Sequence, residues 1–83
     1  MSRLLCRQEN DGKQSGEVFE IDTFGLEPSE YIEKKVKSHD SRGWHVERSP
    51  DGSIHAWKTY PTSNRKRDPN AILRKDRYIW IED

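Results

Sequence analysis

Eighty-three residues, 36% of them charged and 30% hydrophobic, leave room for one small domain, since a chain this short buries only roughly 60% of its unfolded surface. Fifteen Lys and Arg balance fifteen Asp and Glu, and Cys6, the single cysteine, excludes an internal disulfide and a cysteine zinc site. With neither a basic-then-apolar leader nor a long apolar run, the expectation is one cytoplasmic α+β domain over 1–83, with no membrane insertion and no cofactor.

Arg3 to Gln8 reads as a first strand with Leu4 and Cys6 on one face and Leu5 between them. Cys6 is then a small buried hydrophobe. Asn10-Asp11-Gly12 and Ser15-Gly16 supply turn residues that tolerate left-handed backbone. Glu17 to Thr23 alternates, with Phe19 and Ile21 on one side and Val18, Glu20 and Asp22 on the other, as a half-buried strand hairpinned to the first does.

A helix is expected over 28–41. Pro28 suits the first helical position, and Leu26 and Tyr31 stand at the spacing of a hydrophobic staple. Glu30–Lys34 and Glu33–Lys37 are i,i+4 pairs in the favourable order. Ile32 and Val36, with His39 or Tyr31, make a narrow apolar stripe, and Gly43 can end the helix in the left-handed conformation.

The segment 44–58 reads as a β-hairpin. Ser49-Pro50-Asp51-Gly52 suits a type I turn with Gly52 as bulge residue, which opposes Arg48 to Ile54, Glu47 to His55, Val46 to Ala56 and His45 to Trp57. Trp44, Val46, Ile54 and Ala56 then share one face, and His45, Glu47, His55 and Trp57 the other. A plain two-residue turn would mix apolar and polar residues on both faces, so the bulged register is preferred.

Residues 61–70 read as a flexible basic loop. Asp68-Pro69 can cap a helical turn through Asn70–Lys75, with a short strand as the alternative. Arg77 to Glu82 closes the chain as a strand, alternating Tyr78 and Trp80 with Ile79 and Ile81. Both faces are apolar, which puts the strand inside the sheet or against a second copy in a homodimer. Core packing is the favoured reading for Tyr78 and Trp80. The expected architecture is an antiparallel sheet of four or five strands with one main helix packed on one face, in the order β-β-α-β-β-β.

Charge is uneven along the chain. Residues 1–40 carry nine acids against six bases, while 58–77 carry seven bases against Asp68 and Asp76. This asymmetry points to an anionic partner, nucleic acid included, for residues 58–77, or to a core-poor domain that needs solvating charge. Arg65, Lys66, Arg67, Arg74 and Arg77 are the candidate cations, with Trp57 as the expected exposed aromatic and interface anchor.

His45, Glu47 and His55 form the only candidate metal-ligand set, since i and i+2 on one strand point the same way and His55 lies across from Glu47. The competing reading is a solvated polar face with a His–Glu contact, and no metal is the expectation. Neither a nucleophile elbow nor a phosphate-cradling glycine loop is present.

Gly43, Trp44, Arg48, Gly52, Ser53 and His55 together resemble a pattern in HicA-type toxins, small RNA-cleaving proteins with a double-stranded-RNA-binding-like fold. The resemblance covers about residues 30–60 and implies His55 as the catalytic histidine, a general acid or base on RNA. The chain departs from that pattern: an extra residue precedes Gly52, Ile54 separates Ser53 from His55, and two strands precede the helix. The preferred expectation is therefore a non-enzymatic adaptor or inhibitor, of the phage or mobile-element accessory type. It would bind a protein or nucleoprotein partner through His45, His55, Trp57 and the basic segment; direct nucleic-acid binding, with or without RNA cleavage, is the alternative.

Overall fold

The computed structural model describes residues 2–61 and 72–82. Its strands are β1 (Arg3–Asn10), β2 (Lys13–Gln14), β3 (Phe19–Ile21), β4 (His45–Arg48), β5 (Ile54–Pro61) and β6 (Ile72–Glu82), with the single helix α1 (Pro28–Ser41) between β3 and β4. All pairings are antiparallel, in the order β2-β1-β6-β5-β4, and β3 joins the free edge of β1 beside β2. The α+β class and one helix on one face are as expected; among the described residues there are six strands where four or five were expected.

The extra strand arises at the first turn. Asp11 adopts φ 52° and Gly12 φ 82°, so the chain reverses at once into β2, which pairs Glu9 with Gln14 and Asn10 with Lys13. The strand expected over 17–23 shortens to β3, where Cys6 faces Phe19 and Leu4 faces Ile21. Pro28 and the left-handed Gly43, at φ 86°, bracket the helix end to end. Glu27 precedes it without a side-chain cap bond.

Leu4, Cys6, Ile54 and Ile79 from the sheet meet Ile32 from the helix in the buried core, with Ile21, Tyr31, Val36 and Val46 packed around it. Burial raises the Cys6 thiol pKa, which leaves it an inert core residue. The hairpin register matches the bulged pairing at all four positions. Gly52 takes φ 91° and donates its N–H to the Ser49 carbonyl at 3.0 Å.

Two expectations change at β6. Ile72 to Lys75 takes the alternative reading, strand in place of a helical turn, because it pairs with β5 from Pro61 back to Lys58. The expected loop falls, from residue 62 onward, outside the described residues. The doubly apolar strand does lie inside the sheet, between β1 and β5. Tyr78 and Trp80, however, belong to the face away from the helix, so they are not part of the helix-side core.

Candidate functional site

Strand alternation and register place two cross-strand rows on the face that α1 leaves uncovered. One runs Gln14, Glu9, Asp76, Trp57, His45; the next runs Arg7, Tyr78, His55, Glu47. The hairpin therefore brings His45, Glu47, His55 and Trp57 together as expected, and the central strand adds Asp76 and Tyr78 beside them.

The rings in these rows stand against one another. His55 stacks on Tyr78 with centroids 4.3 Å apart and planes 9° from parallel. Trp57 lies 4.9 Å from His55 on one side and 5.5 Å from His45 on the other. Arg7 covers Tyr78 at 5.3 Å, and Arg74 lies 5.7 Å from the Trp57 ring. Both contacts fall within cation–π range. Trp57, expected to be exposed, is instead half-buried, because these neighbouring rings and the Arg74 guanidinium cover it.

Asp76 is the electrostatic centre, only 5% exposed. His55 donates from Nε2 to its Oδ2 at 2.7 Å, and Arg74 donates from Nε and Nη2 at 3.0 and 3.1 Å. Burial on its own would raise the carboxyl pKa, but the bonds from Arg74 and His55 outweigh it and hold the group below the usual carboxylate range. Arg7 pairs with Glu9 on the same face, and Arg3 with Glu82.

The His55–Asp76 pair has the orientation of a base held by a carboxylate. Ser53 does not complete it: its hydroxyl donates to Asp51 at 2.6 Å, inside the turn. The metal candidates do not converge either. His55 spends Nε2 on Asp76, and His45 lies stacked on Trp57. Among the described residues no group of three His, Cys, Asp or Glu side chains is placed to hold an ion.

The basic candidates divide. Arg74 borders Trp57 on the uncovered face. Arg77 does not, because it stands three positions from Arg74, an odd step along the strand that sends it to the helix side. There Arg77 Nη1 donates to His39 Nε2 at 3.0 Å and its guanidinium lies 4.7 Å from the Trp44 ring. Arg65, Lys66 and Arg67 lie outside the described residues.

Sequence reasoning missed Arg7, Asp76 and Tyr78 as members of this face. Their shared parity with Arg74 along β6 and with Leu5 along β1 was visible, but the register joining β6 to β5 was not. No family model, curated protein or solved structure matches the chain. Among the described residues, no helix is long and apolar enough to cross a membrane.

Proposed function

We propose that the chain is a non-enzymatic interaction module, of the adaptor or inhibitor kind, that docks a protein partner on the uncovered face of its sheet with Trp57 as the central anchor. The observation that supports this best is that the charges at the centre of the face are paired within it: Arg7 with Glu9, Arg74 with Asp76, which also takes the His55 ring, and Arg3 with Glu82, while Glu47 and Glu20 stand exposed on the strands β4 and β3 at its edges. A partner that covers this paired centre desolvates it without stranding a charge, the chief cost of burying ionised groups at an interface, and leaves Glu47 and Glu20 to the rim.

Ring geometry favours protein over nucleobases here. Tyr78, His55, Trp57 and His45 use their faces on one another and on Arg7 and Arg74, whereas bases stack on ring faces left open. What the row offers a partner is aromatic edges and hydrogen-bonding rims, which suit side chains and backbone.

The test uses wild-type and Trp57→Ala chains as nuclease-treated baits, followed by calorimetry of each captured protein, purified, against both. An anchor of this type carries at least about 2 kcal/mol, so a true partner binds Trp57→Ala about 30-fold or more weakly. Circular dichroism of the variant should match the wild type. If every captured protein binds both chains equally, the face is not the docking surface.

A further inference from the structure

The helix does not cover its side of the sheet evenly. It packs over β4, β5 and β6, and between its Tyr31–Lys35–His39 edge and strands β1 and β3 a cleft of about 360 Å³ remains. Buried Cys6 and Ile79 form its floor, and Phe19, Ile21 and Phe24 form the wall across from the helix.

Phe24 is a residue that the core does not explain. Its side chain is 80% exposed while its backbone holds φ 52°, a left-handed conformation that is uncommon for a bulky residue. Asp22 Oδ1 accepts the Phe24 N–H at 2.8 Å and so fixes this loop beside the cleft. Phe19, on the same wall, is 46% exposed. Two phenyl rings are thus held in water, one of them at a conformational cost, next to a cavity of the size that small molecules fill.

The helix and the central strand bring two cations to the same cleft. Lys35 Nζ stands 5.5 Å from the Tyr31 ring, and Arg77 donates to the His39 imidazole. Among the described residues neither cation is paired with a carboxylate. Both charges reach the same buried group: burial lowers the His39 pKa most, the bond to the Lys35 carbonyl opposes it, and Arg77 and Lys35 lower it further. The acids of this edge are placed otherwise. Glu20, opposite Leu5, alternates to the uncovered face, and the Asp22 carboxylate serves its own loop.

We propose that this cleft binds a small organic anion, an apolar carboxylate whose body rests on Phe19, Phe24 and Tyr31 and whose charge meets Lys35 and Arg77. An apolar lining with a few convergent polar groups is the chemistry of small-molecule sites. A carboxylate supplies the counter-charge that the two cations lack, through charge-assisted hydrogen bonds. The site lies on the opposite side of the sheet from Trp57 and does not depend on that face docking a partner.

Amide NMR of the full chain, titrated with naphthoate, tests it. The dissociation constant should be about 1 mM or tighter, with shifts centred on Phe19, Phe24, Lys35 and His39. Naphthalenemethanol, the same rings without the charge, should bind at least about tenfold more weakly. Lys35→Gln and Phe24→Asn should each weaken naphthoate binding about tenfold while the melting temperature stays at the wild-type value. Asn tolerates the left-handed backbone, and a Gln side chain at 35 disturbs neither hydrogen bond of His39. The proposal is overturned if naphthoate does not bind, if the alcohol binds as tightly, if the shifts centre on Trp57 and His55, or if both variants bind as the wild type does. It is equally overturned if the ligand-free chain dimerises through these residues, seen as concentration-dependent shifts, since a second copy then fills the cleft.

Discussion

Arg77 donates from Nη1 to Nε2 of His39 at 3.0 Å, while His39 Nδ1 stands 2.7 Å from the Lys35 carbonyl four residues back in the helix. The two contacts require one tautomer: Nδ1 carries the proton and donates it to Lys35, and Nε2 offers its lone pair to the guanidinium. Buried His39 is thus a neutral imidazole that joins the helix to the central strand.

Protonating His39 removes that acceptor and sets an imidazolium against Arg77. Burial lowers the His39 pKa most, Arg77, Lys35 and Arg42 lower it further, and the bond to the Lys35 carbonyl opposes them. The unfolded chain therefore binds this proton first as pH falls. Its contribution is complete above the ordinary imidazole pKa and is lost as pH drops through the lower folded value, at up to about 1.4 kcal/mol per unit. Urea unfolding of wild type and His39→Gln between pH 8 and about 5 checks this: the variant should show the shallower dependence.

Asp76→Ala should cost about 1–3 kcal/mol, because it strands the His55 and Arg74 donors over a nearly buried position. The wild-type carboxyl pKa is depressed, so its contribution is present above the unfolded carboxylate value and lost as pH falls through the folded one. Acid unfolding followed by tryptophan fluorescence should show the variant losing stability less steeply over that acidic range than the wild type.

Gly52→Ala meets no steric obstacle, since a Cβ there has nothing within 4 Å, yet the residue must hold φ 91°. The expected cost is about 1–2 kcal/mol from backbone strain alone. Gly52→Asn should cost less, because a short polar side chain tolerates the left-handed region. Chemical denaturation of both variants measures the difference.

Ile79→Ala opens a cavity where β6 meets Leu4, Ile54 and Ile32, at a side chain only 2% exposed. The expected loss of about 2–5 kcal/mol is a large share of the total stability of a small domain. A melting curve that scarcely moves would mean that the core does not centre on this residue.

The residues by themselves determined the local pieces. Pro28 and Gly43 bound the helix, and the turn Ser49-Pro50-Asp51-Gly52 leaves one register that separates Val46, Ile54 and Ala56 from His45, Glu47, His55 and Trp57. Each is decided by φ, ψ and side-chain parity within a short stretch of chain, where a one-residue slip would put apolar groups in water. The brevity of β3 and the existence of β2 were less legible, because weakly patterned polar residues such as Lys13 and Gln14 pair only when a neighbouring strand is there to receive them.

Tertiary structure decided which pieces touch. That His55 reaches Asp76, 21 residues away, that Tyr78 stacks on it, and that Arg74 and Arg77 part to opposite faces all follow from the register of β6 against β5 and β1. That register is set by Ile79 packing among Leu4, Cys6, Ile54 and Ile32, a hydrophobic choice among strands far apart in the chain, which local conformational preference does not encode.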